Sequence, residues 1–301
     1  MKMTRDTPEN FIATARNDIE DHLEKHLAGY DETEVVALAR YITLTGGHRW
    51  RPLVLLAAGG AVQKARGNLL PAACGIEIVH SATLLLDDLP SMDNAGLRRG
   101  KPCAHLVFPP WAVDMAAPFL VSMGYAMILE NEQIDSSLRL QAALVMSSTA
   151  VDLCKGQVRD IMASSASKQT DDLFDRYFLK TGSLYSAAAG IGSILSGGSV
   201  EKTEALTRCA AKLGLAVQCF DDIADMVTAV EVSGKEPGND SDKRTVISRY
   251  GLEGAVKLGR KLQKEALTEL DSFSDRCQNL RYLVDVIPRA IVPHDIETYQ
   301  G

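Results

Sequence analysis

The stretch LLLDDLPSMDNAGLRRG, residues 84–100, joins the end of an apolar segment to three acids and two arginines. Pro90 has no backbone N–H and disfavours helical geometry in the residue before it. A helix that carries the leucines is therefore predicted to end near Asp88. Asp93 then lies on a loop that can fold back toward Asp87. The stretch predicts an apolar helix that brings carboxylates to the edge of a helical core.

A second acidic cluster lies in QCFDDIADM, residues 218–226. Asp221 and Asp225 are four residues apart in a segment without Gly or Pro, which puts both on one face of a helix. Carboxylates from separate helices can converge inside a bundle. Without His or Cys partners they suit Mg²⁺, which is commonly held by a few carboxylates and substrate phosphates. Each cluster could instead be a solvated helix end, but the apolar flanks favour a bound cation, because unpaired charge there is costly.

Basic residues recur at the loops and element ends near these acids. Guanidinium groups bind phosphate oxygens in pairs, so arginines beside a metal cluster fit a diphosphate ligand. Any one of them could be an ordinary surface residue, whereas the set as a whole favours an anion site. The set comprises Arg49, Arg51, Arg98, Arg99, Lys180, Lys235 and Lys243. His80 precedes the first acids by about two helical turns, yet a carboxylate-only set fits magnesium better than zinc.

Composition limits the function classes. The 301 residues, 46% of them hydrophobic, fit one well-buried domain over residues 1–301, and the net charge of -7 argues against a nucleic-acid partner. The six cysteines are scattered without a metal-binding spacing, and no apolar run follows the charged N-terminus, so we expect a cytoplasmic protein. Residues 112–129 reach membrane-spanning length but contain Asp114 and Pro118. We interpret them as a core helix and expect no transmembrane span.

The distribution of proline predicts an all-α fold. No proline occurs between Pro118 and Pro237, and good helix formers fill that interval. Thr7 and Pro8 predict the start of a first helix, and alternating strand patterns are nearly absent. Two apolar stripes have helical spacing. They are Phe11, Ala15, Ile19, Leu23 and Leu27 near the start, and Val256, Leu262, Leu267, Leu270 and Phe273 near the end.

These motifs, in this order, resemble those of the trans-isoprenyl diphosphate synthases, a family of all-α prenyltransferases with a central prenyl-binding cavity. GGHRWRP (residues 46–52) is similar to the family's G-G-K-R-x-R-P, and DDLPSMD (residues 87–93) to its first aspartate-rich motif with a two-residue insertion. GQVRD, KTGSL, QCFDDIAD and GKEPGND follow in the expected order. His48 stands where the family usually has lysine.

The resemblance implies magnesium-assisted condensation of isopentenyl diphosphate with an allylic diphosphate. Three magnesium ions would be bound by Asp87, Asp88, Asp93, Asp221, Asp222 and Asp225. Arg98, Lys180 and Lys235 would bind the allylic diphosphate, and Lys243 would assist. Isopentenyl diphosphate would contact His48, Arg51 and Arg99, with Arg49 and His80 nearby. The Lys180 carbonyl, with the Thr181 and Gln218 side chains, would face the carbocation.

The residues before Asp87 predict the product length. Thr83 and Ala82, four and five positions earlier, lie one turn deeper on the helix, with Val79 below them. None is aromatic, so the resemblance implies a geranylgeranyl rather than a farnesyl product. A farnesyl diphosphate synthase is the first alternative, and a class I terpene cyclase and a non-catalytic subunit of a heteromeric synthase are more remote ones. The resemblance also implies a homodimer, for which the apolar helix at residues 112–129 could provide the interface.

Overall fold

A computed structural model describes residues 7–62, 67–163, 172–233, 245–273 and 275–292, without the side chains of 228–233. These residues are almost entirely helical, which confirms the all-α prediction. The α-helices are α1 (Pro8–Ala28), α2 (Glu34–Leu44), α3 (Trp50–Val62), α4 (Leu70–Asp87), α5 (Ala104–Val107), α6 (Pro110–Leu129), α7 (Ser136–Ala163), α8 (Leu173–Tyr177), α9 (Ser183–Leu195), α10 (Val200–Ser233), α11 (Val246–Thr268) and α12 (Gln278–Ile291). A π-helical turn, Phe178–Gly182, joins α8 to α9.

The chain divides into two compact units. The first contains the described residues up to Ser147 and those from Ala188 to Thr203, and the second contains the rest. Helices α7, α9 and α10 each contribute residues to both units. The expectation of a single domain over residues 1–301 stays a prediction.

The start of the first unit follows the sequence prediction. The Thr7 side chain accepts a hydrogen bond from the Asn10 N–H, and Pro8 is the first residue of α1. The predicted stripe on α1 is buried, because its spacing keeps the apolar side chains on one helix face. Its members are Phe11, Ala15, Ile19, Leu23 and Leu27.

Helix α4 is the centre of the first unit and packs against α1, α2, α3 and α6. It approaches α6 closely at a pair of glycines. A Cβ atom on Gly75 would lie 2.7 Å from the Gly124 carbonyl oxygen, and one on Gly124 would lie 2.6 Å from a Val79 methyl carbon. Because only glycine leaves room for this approach, Gly75 and Gly124 fix how α4 and α6 pack.

Among the residues that the structure describes, two helices have the length and composition of a membrane span. They end at Asp87 and Leu129, and 67% and 50% of their most apolar windows are buried inside the protein. The first is α4 with the 3₁₀ turn before it, and the second is α6, which we had interpreted as a core helix. Burial of this extent is typical of core helices.

A short β-hairpin carries the two adjacent arginines. Strand β1 (Leu97–Arg98) pairs antiparallel with β2 (Lys101–Pro102). The turn between them has φ 53° at Arg99 and φ 76° at Gly100, and positive φ at both central residues is the pattern of a type I′ turn. The turn therefore separates Arg98, which is on a strand, from Arg99, which is at the tip.

The second unit has a core formed by α8, α10 and α11. Its buried members are Leu173, Tyr177, Ala216, Cys219, Phe220, Ile223, Val246, Ala255 and Leu262. The apolar stripe predicted near the end of the chain extends beyond the helix that was expected to carry it. Helix α11 ends at Thr268, and Leu270 and Phe273 are buried in the turns that follow.

Candidate active site

The acidic end of α4 has the geometry that Pro90 predicts. The helix ends at Asp87, and Asp88 is its C-terminal cap. The chain then turns back, so that the Asp93 N–H donates to the Asp87 carbonyl oxygen at 2.9 Å. The turn therefore brings the backbone of Asp93 next to that of Asp87, six positions earlier. Asp87 is half-buried and Asp93 is exposed, so both can be reached by a ligand.

Asp88 forms an ion pair with Arg98. Its side chain is 2% exposed, and the Arg98 Nε donates to both of its oxygens at 3.1 and 3.2 Å. A second guanidinium nitrogen of Arg98 donates to the same carboxylate. The hydrogen bond and charge of Asp88 raise the pKa of Arg98. Asp88 therefore positions Arg98, and its predicted role as a direct metal ligand has no geometric support.

A cationic cavity of about 500 Å³ lies in the first unit, between the loop before α3 and the middle of α4. Four of the residues predicted to bind isopentenyl diphosphate line it: His48, Arg51, His80 and Arg99. The rest of the lining is Gly47, Arg49, Trp50 and Glu77. Residues from three separate segments of the sequence were predicted to act together, and the fold brings them to one cavity.

Arg99 reaches the cavity across the glycine loop that precedes α3. Its guanidinium donates to the Gly46 carbonyl oxygen at 2.5 Å. Gly47 has φ 120°, and a Cβ atom there would lie 2.7 Å from the Arg99 Cζ. The first glycine of the motif therefore provides an acceptor, and the second leaves room for the guanidinium.

Arg49, which was predicted to lie near isopentenyl diphosphate, is held by protein groups. Its side chain is fully buried, and its guanidinium donates to Glu20 at 2.7 and 3.0 Å, to Glu77 at 2.7 Å and to the Thr43 carbonyl oxygen at 2.7 Å. These carboxylates raise the pKa of Arg49, although burial opposes them. Arg49 is a buried anchor between α1, α3 and α4. One indication of this role was present in the sequence, since Glu77 is a lone acid in an apolar run.

Arg51 and His80 contact each other in the cavity. An Arg51 guanidinium nitrogen lies 2.9 Å from His80 Nε2. Because arginine can only donate, Nε2 accepts and the ring proton is on Nδ1. Thr83 Oγ1 lies 3.4 Å from that Nδ1 and donates to the His80 carbonyl oxygen at 2.8 Å. Burial and the neighbouring arginines lower the pKa of His80, so the imidazole is neutral and orients Arg51.

In the second unit, Asp221, Asp222 and Asp225 lie on α10, as predicted. Asp222 accepts hydrogen bonds from the Tyr177 hydroxyl, from Gln218 Nε2 at 3.1 Å and from the Val246 N–H at 3.2 Å. Burial raises the pKa of Asp222. It is therefore the centre of a network that links α8, α10 and α11. As with Asp88, these contacts support a positioning role rather than direct metal ligation.

The predicted residues Lys180, Thr181 and Gln218 are connected to this network. Thr181 Oγ1 donates to Gln218 Oε1 at 2.6 Å. Lys180 Nζ lies 2.6 Å from Asp160, the acid of the GQVRD motif. Both Lys180 and Thr181 lie in the π-helical turn, a feature that occurs often at functional sites. Neither this turn nor Tyr177 was foreseen, because neither has a distinctive local sequence.

The remaining predicted residues divide into two groups. Val79 and Ala82 are buried in α4, whereas Thr83 is half-buried. Val79 packs over Gly124, at the contact between α4 and α6. Lys235 and Lys243 lie outside the described residues.

The carboxylates fit magnesium by the chemistry of their donors. Asp87 and Asp93, and Asp221 and Asp225, offer oxygen atoms without sulfur or imidazole. In the part of the chain that the structure describes, no three His, Cys, Asp or Glu side chains form a metal site by themselves. Carboxylates in small groups suit an ion that completes its coordination with water and substrate phosphates.

Comparison with known proteins gives consistent matches. The polyprenyl synthetase family profile matches residues 32–286. The chain is 32% identical to a geranylgeranyl diphosphate synthase of Cyanophora paradoxa, over 92% of this chain and 94% of that one. It is 35% identical to a geranylgeranyl diphosphate synthase of Pseudescherichia vulneris, over 83% and 82%. Its fold is similar to an FPP/GFPP synthase from Zymomonas mobilis, with a TM-score of 0.82, 26% identity and coverage of 93% and 98%.

Proposed function

Because the chain belongs to the polyprenyl synthetase family, we propose that it condenses isopentenyl diphosphate with an allylic diphosphate to give geranylgeranyl diphosphate. Dimethylallyl, geranyl and farnesyl diphosphate are the candidate allylic substrates. The observation that carries this proposal is the cationic cavity lined by Arg51, His80 and Arg99. A condensing enzyme needs an anion site for its second diphosphate, whereas a terpene cyclase uses only one diphosphate.

The allylic diphosphate would be bound through metal ions and cations. Asp87, Asp93, Asp221 and Asp225 would bind Mg²⁺, for which three ions are proposed. When bound, Mg²⁺ neutralises charge on the leaving diphosphate. Arg98, oriented by Asp88, and Lys180, oriented by Asp160, would add fixed positive charge. We assign the same task to Lys235 and Lys243.

Ionisation breaks the allylic C–O bond, and pyrophosphate leaves with the electron pair. The double bond of isopentenyl diphosphate then donates its electrons to the allylic carbon and forms the new C–C bond. A proton leaves the carbon next to the new cation, and the departing pyrophosphate accepts it. The Lys180 carbonyl and the Thr181–Gln218 pair would stabilise the cations with their dipoles.

The side chains on α4 support a twenty-carbon product. Thr83, Ala82 and Val79 are small or medium-sized residues, and an aromatic side chain at this depth would shorten the space for the prenyl chain. The geranylgeranyl diphosphate synthases that match most of this chain agree with that length. A farnesyl product has no comparable support in the site.

We further propose that the enzyme is a cytoplasmic homodimer. Trp111 and Met115 are 54% and 57% exposed on α6, and Leu140 and Leu144 are 58% and 62% exposed on α7. Exposed apolar side chains of this size favour a protein contact. No disulfide joins the six cysteines, which fits a reducing compartment. Sedimentation equilibrium of the purified protein should give the mass of two chains.

Product analysis tests the proposal. The protein would be incubated with Mg²⁺, labelled isopentenyl diphosphate and each allylic starter separately, and the products separated by chain length. We expect geranylgeranyl diphosphate from all accepted starters. Accumulation of farnesyl diphosphate as the end product would contradict the proposed length. Release of pyrophosphate and a hydrocarbon from an allylic diphosphate alone would indicate a cyclase instead.

A further inference from the structure

Three side chains form a stack beside the cationic cavity. The His48 and Trp50 rings are parallel within 5°, and their centroids are 5.3 Å apart. The Arg16 guanidinium carbon lies 5.5 Å from the Trp50 ring centroid. Arg16 also donates to the His48 carbonyl oxygen at 3.2 Å. Arg16 on helix α1 thus places a cation against His48 and Trp50, which lie more than thirty positions later in the sequence.

Two donors in this stack lack partners. Arg16 Nε and Trp50 Nε1 are buried and have no hydrogen-bond acceptor among the described residues. A buried donor without an acceptor is destabilising, because it has lost its hydrogen bonds to water. Both donors belong to groups that can only donate. The position therefore favours a ligand with several acceptor oxygens.

His48 does not supply the positive charge that lysine would provide at its position. Burial and the charges of Arg16 and Arg99 lower the pKa of His48, so its imidazole is neutral near pH 7. The cavity also contains Glu77, whose carboxylate is already shared between Arg49 and Arg99. Before a diphosphate binds, the positive charge at this cavity therefore comes from residues other than His48.

We infer that Arg16 and Trp50 complete the isopentenyl diphosphate site, with Arg16 supplying positive charge beside His48 and Trp50 holding both side chains in register. This inference rests on the proposed function, because it assumes that the cavity binds the homoallylic diphosphate. Trp50 and His48 line the cavity, and Arg16 adjoins it through its cation–π contact with the indole.

Steady-state kinetics with varied isopentenyl diphosphate tests the inference. Arg16→Gln should raise KM for isopentenyl diphosphate about tenfold, because a charge-assisted contact is lost. The KM for the allylic diphosphate and kcat should change less than about twofold. Arg16→Lys should recover part of the loss. Lys25→Gln removes a positive charge from the same helix away from this stack and is the matched control.

Two further variants test whether the charge of Arg16 affects substrate binding or only its packing does. In a His48→Lys background, Arg16→Gln should raise KM less than about threefold, because lysine restores the missing cation. Trp50→Phe keeps a stacking ring but removes the indole donor, and should raise KM by a smaller factor than Arg16→Gln.

Two results would overturn the inference. One is an Arg16→Gln enzyme whose KM for isopentenyl diphosphate matches that of Lys25→Gln. The other is a loss that appears only in kcat and thermal stability, which would indicate a structural role. Failure of the unmodified enzyme to incorporate isopentenyl diphosphate would instead reject the proposed function, so the two failures are distinct.

Discussion

Within the site, the predicted residues have different surroundings, and Asp87 and Asp93 are at least partly exposed. Arg49, Asp88 and Asp222 each make several hydrogen bonds inside the protein. Sequence alone could not make this distinction. Asp88 and Asp87 are adjacent acids, yet one faces Arg98 and the other lies at the end of the helix. The division depends on partners that are distant in sequence, so it became visible only in the structure.

The two adjacent acids should differ in their effect on catalysis. Asp87→Ala should reduce kcat by a factor of about 10²–10³ or more, as expected for loss of a group that stabilises developing charge. Asp88→Asn should reduce it about 10–100-fold, the range for outer-shell partners of a metal site. Initial-rate assays at saturating Mg²⁺ would measure both. Equal effects, or full activity in Asp87→Ala, would contradict the assignment.

Of the two arginines in GGHRWRP, Arg49 should affect the stability of the fold and Arg51 the binding of substrate. Arg49→Ala should lower the free energy of unfolding by about 3–5 kcal/mol, because it leaves the buried carboxylates of Glu20 and Glu77 without their partner. Arg51→Ala should change stability by less than about 1 kcal/mol and raise KM for isopentenyl diphosphate. Urea unfolding and kinetics would measure both. If Arg49→Ala kept its stability but lost affinity, Arg49 would bind substrate after all.

His48 should make substrate binding depend on pH. Its pKa is lowered in the ligand-free protein, and a bound diphosphate would raise it, so binding takes up a proton. The affinity for isopentenyl diphosphate should therefore increase as pH falls from 8 toward 6, by up to tenfold per pH unit. His48→Lys should remove this part of the dependence, since lysine stays charged. Identical pH profiles for the two proteins would exclude His48 from the site.

Secondary-structure elements were predictable where local chemistry decides them. Thr7 and Pro8 start α1, and Pro90 ends α4 and turns Asp93 back, because capping and proline sterics act over a few residues. The π-helical turn was not predictable, since residues 178–182 have no unusual composition. The hairpin at residues 97–102 was also missed, although it explains why Arg98 and Arg99 have different partners.

Helix α4 should control product length through its last two turns. Thr83→Phe should shift the product from twenty to fifteen carbons, because an aromatic ring at this position would block the prenyl chain. Thr83 is a better position for this test than Ala82, which is 1% exposed, where a phenyl ring would cost about 1–3 kcal/mol through overpacking. Thr83→Ser is the matched control. An unchanged product from a stable Thr83→Phe enzyme would reject the proposed chain direction.

For the whole molecule, the proposed reaction requires two different diphosphates with different binding groups. Carboxylates for Mg²⁺ with Arg98 and Lys180 would bind one of them, and Arg51, His80, Arg99 and the stack of Arg16, Trp50 and His48 would bind the other. The fold class followed from the sequence because periodicity and proline placement are local signals. The pairing of Arg49 with Glu20 and Glu77 did not, since it depends on how three helices pack.

The most direct test measures product formation and pyrophosphate release together. The enzyme would be given farnesyl diphosphate, labelled isopentenyl diphosphate and Mg²⁺, and both label incorporation and pyrophosphate would be quantified. We predict one pyrophosphate for each isopentenyl unit incorporated, with geranylgeranyl diphosphate as the product and no release when isopentenyl diphosphate is omitted. Pyrophosphate release without incorporation would contradict condensation as the function of this protein.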